Sequence, residues 1–173
     1  VSILRANGAQ VAVVVSAMGD ETDRLKGLAD EFDFHKDVRA YDVVLAAGEQ
    51  DSVGLFALAL GRYGIPAKPL LAHQIPIRSD DLFGDANIIT INAATIEDAF
   101  TRKQAPVIAG FQGVTANGDM TTLGRGGSDI TAVAVATAIG ASCCIFFKDV
   151  DGVYTSDPNL DLFSTQLNNL SFE

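Results

Sequence analysis

Apolar residues follow two recurring patterns along this chain. The first is the short continuous run, rich in Val, Ile and Phe and almost without polar alternation. Such runs predict strands of a parallel sheet that is covered on both faces. They occupy residues 11–15, 106–110 and 142–147. The stretch 71–90 is mixed and predicts only loop and short strand.

The second pattern places apolar residues at helical spacing between these runs. It predicts helices at residues 22–32, 38–63, 95–103 and 129–139. We expect the second helix to bend or split near Gly48, and Thr22 and Thr95 to cap the first and third. The last helix is apolar all round, which indicates a position inside the domain. Strands that alternate with helices predict an α/β sandwich.

Composition narrows the class of protein. A chain of 173 residues suits one domain, and its 48% apolar content excludes a disordered segment. The net charge of −10 argues against a nucleic-acid partner. No apolar run reaches the ~18 residues of a membrane span. The chain begins with Val1 rather than Met, so we do not expect Val1 to be the natural start.

Two adjacent cysteines, Cys143 and Cys144, fall in the third predicted strand. Their apolar neighbours predict small buried side chains. A disulfide framework is not expected, which fits a reducing cytosol.

The strongest candidate site is segment 122–129, Thr-Leu-Gly-Arg-Gly-Gly-Ser-Asp, which follows a predicted hairpin turn at Asn117-Gly118 and opens the last helix. Glycines let backbone amides approach a ligand, and a helix N-terminus attracts anions. Arg125 suits a carboxylate or phosphate, Ser128 can cap the helix or bind a ligand, and Asp129 can bind an ammonium group or orient a catalytic group. A capped helix after a flexible loop is the alternative, but it does not explain Arg125. The segment is neither a Walker A motif nor the dinucleotide fingerprint.

Three further segments carry weaker signals. Ser16 and Thr22 offer hydroxyls beyond the first strand, where ligands of open α/β sheets gather. Glu49 beside Gly48 is either a receptor for an ammonium group or an exposed helical glutamate. In segment 148–158, Tyr154 can stack on a base and Asp149 can bond a ribose, although alone the segment is typical of an acidic surface loop.

Taken together and in order, segments 16–23, 48–50, 109–113, 122–129 and 149–158 resemble the amino-acid kinase family, specifically its aspartate kinases. The resemblance implies a three-layer α/β/α sandwich with a mostly parallel sheet, incomplete at both ends. The whole of 1–173 would be part of the catalytic domain, without a regulatory (ACT) domain. The implied reaction is phosphoryl transfer from ATP with Mg²⁺ to the side-chain carboxylate of L-aspartate, towards lysine, threonine and methionine. The resemblance also implies a cytoplasmic protein that forms a homo-oligomer or pairs with missing segments, with no nucleic acid or membrane as partner.

The resemblance also implies roles for individual residues. The residues implied to bind aspartate are Ser16, Thr22, Glu49, Arg125, Gly126, Gly127 and Ser128. Asp129 would be the catalytic residue, orienting the substrate or a lysine. The residues implied to hold the nucleotide are Lys148, Asp149, Gly152, Tyr154, Thr155, Asp157 and Pro158. No metal ligand is implied within the chain.

The chain departs from the family pattern in several places. The family's Lys-Phe/Tyr-Gly-Gly segment, whose lysine contacts the transferred phosphate, has no counterpart here, so we expect residues 1–173 alone to be inactive. Lys148 replaces a small hydroxyl residue, and Asn159 replaces arginine. Two alternatives therefore stay open: a non-catalytic binding or partner module of the same fold, and a kinase for another small amino acid.

Overall fold

The computed structural model describes residues 1–32, 37–148, 150, 152–157 and 160–170. The helices are α1 (Ser2–Ala6), α2 (Glu21–Asp30), α3 (Val38–Arg62), α4 (Ala94–Thr101) and α5 (Gly127–Ala138). The strands are β1 (Val13–Val15), β2 (Ala67–Leu70), β3 (Ile77–Ser79), β4 (Ile88–Ile91), β5 (Ala105–Ala109), β6 (Gln112–Val114) and β7 (Met120–Thr122).

A parallel sheet of order β1-β5-β2 forms the middle layer. Its central strand β5 is buried along its whole length, because side chains on both faces meet helices. Val107 packs on one face with Leu60 of α3, and Ile108 packs on the other with Ile96 of α4 and Val135 of α5. The predicted α/β/α sandwich is therefore confirmed.

A second sheet, of order β4-β3-β6-β7, extends the fold beside the first and is mixed. Strands β6 and β7 pair antiparallel around the predicted turn, where Gly118 has φ +90°. This hairpin leads directly into the glycine-rich segment at the start of α5. The sequence pattern predicted the hairpin and, within 71–90, loop and short strand, but it did not predict how these strands pair.

The apolar run at 142–147 does not form the predicted strand. Cys143 and Cys144 are exposed rather than buried, and Phe147 is 90% exposed. Strand formation needs a neighbour that supplies ladder hydrogen bonds and a layer that covers the side chains. Among the described residues, none pairs with this run.

The helices also differ in detail from their predictions. Helix α3 is continuous through Gly48, where an added Cβ would lie 2.9 Å from the Ala17 Cβ, so glycine serves close packing rather than a break. Helix α5 is covered only along the face that carries Thr131 and Val135, whereas Ile130 is about half exposed, so its predicted full burial is wrong.

The predicted threonine caps are also wrong. Asp20 precedes α2, so Thr22 lies inside the helix, and Ala93 precedes α4. Thr95 instead donates its hydroxyl to the Gln74 carbonyl at 3.2 Å.

Helix α3 is long and apolar enough to cross a membrane by length and composition. Its Asp42 and Glu49 are nevertheless buried against other parts of the protein, and its Val53 and Leu60 pack on the parallel sheet. This is the packing of a core helix.

Candidate functional site

A cleft of about 550 Å³ opens where β1, α2, α3 and the start of α5 converge. It lies beyond the carboxyl end of β1, where ligands of α/β sheets bind. All the residues predicted to bind the substrate line it, together with the predicted catalytic residue and one predicted nucleotide residue: Ser16, Thr22, Glu49, Arg125, Gly126, Gly127, Ser128, Asp129 and Lys148. Segments far apart in sequence thus meet in one place.

Glycines shape the loop that forms one wall of the cleft. Gly124 and Gly126 have φ of +69° and +74°, values that residues with a side chain rarely adopt. A Cβ on Gly127 would lie 2.7 Å from the Phe111 ring, so this position needs glycine for space. Gly126 is the N-cap of α5, with no side-chain cap, so the predicted capping role of Ser128 is wrong and its hydroxyl is left for other partners.

Arg125 is exposed on this loop and makes no ion pair within the part of the chain that the structure describes. The other two cations of the cleft are paired. Lys26 contacts Asp30 at 2.6 Å, and Lys148 contacts Asp129 at 2.7 Å. The Arg125 guanidinium is therefore available to an anion.

Glu49 also lines the cleft but is buried, with only 3% of the residue exposed. Its Oε1 accepts a hydrogen bond from the Ala17 N–H at 3.1 Å, whereas its buried Oε2 has no hydrogen-bond partner among the residues that the structure describes. A buried carboxylate oxygen without a partner is costly. The alternative of an exposed helical glutamate is wrong, and the geometry suits a cationic ligand.

Burial raises the pKa of Glu49 above its ordinary value of 4.5, opposed in part by the hydrogen bond from Ala17. The folded protein then holds this proton more tightly than the unfolded chain, so the free energy of unfolding falls as pH rises from 4.5 through the raised pKa.

We expect Glu49→Gln to remove this pH dependence of the free energy of unfolding. The free energy of unfolding of the variant minus that of the wild type should increase with pH across this window, as measured by urea titration. A difference that does not change with pH would contradict the assignment of this pH dependence to Glu49. Burial also raises the pKa of Asp42, but both proteins carry Asp42, so its contribution cancels in the difference.

Asp129 lies in the first turn of α5 and forms an ion pair with Lys148. The Lys148 Nζ donates to both carboxylate oxygens at 2.7 Å. Both side chains are about half exposed, at 44% and 47%, so the pair faces the open cleft. It joins the start of α5 to the chain just after the run 142–147.

The predicted nucleotide residues are not gathered in the same way. Of those that the structure describes, only Lys148 lines the cleft. Tyr154 instead forms an antiparallel bridge with Gln166, and the Thr155 N–H donates to the Thr165 carbonyl. Gly152 lies beside Gln166, and Asp157 belongs to the same exposed segment. Asp149 and Pro158 lie outside the described residues.

Several residues of the site were not predicted from the sequence. Asp23, Lys26, Tyr41 and Phe111 also line the cleft. Asp42 is fully buried on α3 and lies seven residues before Glu49, a spacing of about two turns that places both carboxylates on one helix face. That spacing was the available signal for Asp42.

The entire chain, residues 1–173, matches the amino acid kinase family. An aspartokinase of Thermus thermophilus is 49% identical over 156 residues, which are 90% of this chain and 38% of that protein. The structure of aspartate kinase from Synechocystis has a TM-score of 0.76 at 36% identity, over 95% of this chain and 27% of that one. Aspartokinase III of E. coli, in complex with aspartate and ADP, has a TM-score of 0.71 at 29% identity, over 84% of this chain and 33% of that one. The chain spans 38% to 41% of the length of curated aspartokinases that it matches.

Proposed function

Because this chain belongs to the amino acid kinase family, we propose that the protein is an aspartate kinase, which transfers the γ-phosphoryl group of ATP to the side-chain carboxylate of L-aspartate. Aspartokinases at 40% to 49% identity support this choice of substrate. The observation that carries the proposal is the cleft, which combines the buried oxygen of Glu49, the available guanidinium of Arg125 and the Asp129–Lys148 pair.

The charges of the cleft complement those of aspartate. The Glu49 carboxylate would accept the substrate ammonium, and Arg125 would hold a carboxylate through two parallel hydrogen bonds. The remaining residues of the proposed pocket would contribute hydroxyls and backbone amides: Ser16, Thr22, Gly126, Gly127 and Ser128. The attacking carboxylate is already ionised, so the site needs no general base and acts by positioning and charge neutralisation. Asp129 would orient the reacting groups together with Lys148.

ATP would reach the same cleft from the side of Lys148, with the segment through Tyr154, Thr155 and Asp157 contributing further nucleotide contacts. Among the described residues, no group of three or more His, Cys, Asp or Glu side chains is placed to hold a metal ion. A Mg²⁺ ion in the cleft would therefore be bound mainly through the phosphates of ATP, since Mg²⁺ needs only one or two protein carboxylates. Such an ion would neutralise phosphate charge.

We also propose a cytoplasmic location and association with further copies or segments. Two exposed free thiols, Cys143 and Cys144, suit a reducing compartment. Strand β1 lies at the edge of the parallel sheet and pairs only with β5 among the described strands, which leaves an edge open to another strand.

An ADP-release assay on the full-length protein tests the proposal with aspartate, acetylglutamate and glutamate as acceptors. We expect turnover with aspartate far above that with the other two. Turnover with another acceptor would favour a kinase for a different amino acid. Binding of aspartate by calorimetry without any turnover would favour a non-catalytic module. The absence of both binding and turnover would refute the kinase and the binding module alike. The inactivity expected of residues 1–173 alone stays a prediction.

Arg125→Lys keeps the positive charge but loses the planar fork that holds a carboxylate at two points. We expect the KM for aspartate to rise about tenfold, since a hydrogen bond to a charged group contributes about 1.5 kcal/mol or more, while kcat changes little. Steady-state kinetics measures both, and Arg62→Lys, on the exposed end of α3, is the matched control. An unchanged KM would exclude Arg125 from carboxylate binding.

A further inference from the structure

Asp42 is a fully buried carboxylate that the proposed chemistry does not use. It lies on α3, two turns before Glu49. Its Oδ2 accepts hydrogen bonds from the Gly84 and Thr122 N–H groups, each at 3.0 Å, and its Oδ1 accepts one from the Thr122 hydroxyl at 2.8 Å. One side chain thus joins α3 to two separate segments.

Both of those segments form the wall of the cleft. Gly84 and Thr122 line it, and Thr122 ends β7 just before the loop that carries Arg125. The two segments also support each other. The Ala86 N–H donates to the Thr122 carbonyl at 2.9 Å, and a Cβ on Gly124 would collide with the Asp85 carboxylate. Asp42 therefore fixes the base from which the Arg125 loop departs.

A second contact ties the same end of α3 to the same segment. The Arg39 guanidinium lies 5.2 Å from the centre of the Phe83 ring, beside Gly84. Helix α3 thus contacts the segment around Gly84 through both a cation–π interaction and the Asp42 carboxylate. Two turns further along, α3 places Glu49 in the cleft. One helix therefore carries the proposed ammonium site and anchors the loop that carries Arg125.

Burial of this charge is costly, and none of the described ion pairs includes Asp42. Apolar residues of similar volume often stabilise a fold as well as or better than a buried charged group does. Three directed hydrogen bonds do what an apolar residue does not: they fix the relative positions of the groups that donate them. Geometry, rather than stability, is what Asp42 supplies here.

We propose that Asp42 is a positioning residue for the aspartate kinase reaction, which holds the Thr122 end of the loop so that Arg125 meets the substrate carboxylate already in place. The inference rests on the proposed function for its kinetic readout. Its structural part, an ordered Arg125 loop, is measurable without any turnover.

The test compares Asp42→Asn with Asp81→Asn, the same chemical change at an exposed position of the neighbouring loop. An amide in place of Asp42 removes the negative charge, so the hydrogen bonds from Gly84 and Thr122 are no longer charge-assisted and become weaker. We expect the KM for aspartate to rise about tenfold, because hydrogen bonds to a charged group are replaced by weaker hydrogen bonds to a neutral amide, with kcat changed much less. Asp81→Asn should match the wild type in both parameters.

Coupling to Arg125 separates positioning from a general loss of stability. If Asp42 acts through Arg125, the KM increase in Asp42→Asn with Arg125→Lys should be smaller than the product of the two single increases. Amide hydrogen exchange at residues 123–128 should also become faster in Asp42→Asn. A KM increase in the double variant equal to the product of the two single increases, together with unchanged exchange, would overturn the proposal, even if the melting temperature falls.

Two further measurements keep the outcome decisive. If Asp42→Asn does not fold, Thr122→Val removes only the hydroxyl donor and should give a smaller change in the same direction; a KM and loop exchange equal to those of the wild type would overturn the proposal. If the wild type shows no turnover with aspartate, the proposed function fails, and loop exchange alone then decides whether Asp42 orders the loop.

Discussion

Replacing Glu49 by glutamine is expected to weaken aspartate binding about 100-fold or more, while the ligand-free protein stays at least as stable as the wild type at neutral pH. Only 3% of Glu49 is exposed, and its buried Oε2 has no hydrogen-bond partner among the described residues. An ammonium ion that binds this oxygen relieves an uncompensated buried charge. Removing one partner of a buried charge pair costs roughly 3 to 5 kcal/mol, which corresponds to at least 100-fold in affinity.

Calorimetry with aspartate and urea unfolding without it measure the two halves of this prediction. Glu97→Gln, on the exposed surface of α4, is the control and should alter neither. A variant that binds aspartate as the wild type does would remove Glu49 from the ammonium site. A large loss of stability in the absence of aspartate would instead indicate that Glu49 supports the fold.

Asp129→Asn is expected to lower kcat about 100-fold with little change in stability. Asp129 holds the Lys148 Nζ through both oxygens at 2.7 Å. Without that negative charge, the lysine loses its fixed position in the cleft, and misplacement of a reacting group by about 1 Å can lower a rate roughly 100-fold. The pair is about half exposed, so its contribution to the free energy of unfolding is only about 0 to 1 kcal/mol.

Single-turnover and steady-state kinetics on the full-length protein measure this effect, with thermal unfolding in parallel. Asp98→Asn removes the charge of another exposed aspartate pair, between Asp98 on α4 and Arg102 just after it, and serves as the control that should leave kcat unchanged. If Asp129→Asn turns over at the wild-type rate, Asp129 does not orient the reacting groups. If its melting temperature is several degrees below that of the wild type, the Asp129–Lys148 pair stabilises the fold.

Much of the fold follows from local pattern. Continuous apolar runs correctly indicated β1 and β5, and apolar spacing indicated α2, α3, α4 and α5 to within two residues at each end. The turn at Asn117-Gly118 indicated the hairpin of β6 and β7. These features depend on residues close together in sequence, so the sequence contains the information directly. The run at 142–147 had the same apolar pattern and no strand, because pairing requires a neighbour that local pattern does not specify.

The sequence by itself determined the chemistry available to the site: a glycine-rich turn with one arginine, an acid beside Gly48, and hydroxyls after the first strand. Only the tertiary structure decided which of these groups meet and in what state. It buried Glu49 and left Arg125 open, because α3 packs on the parallel sheet while the loop before α5 stays at the surface. It paired Lys148 with Asp129 and placed Asp42 beneath the loop, since both contacts join residues at least 19 positions apart. Burial and long-range hydrogen bonds are properties of packing, and packing is what a residue pattern alone leaves undetermined.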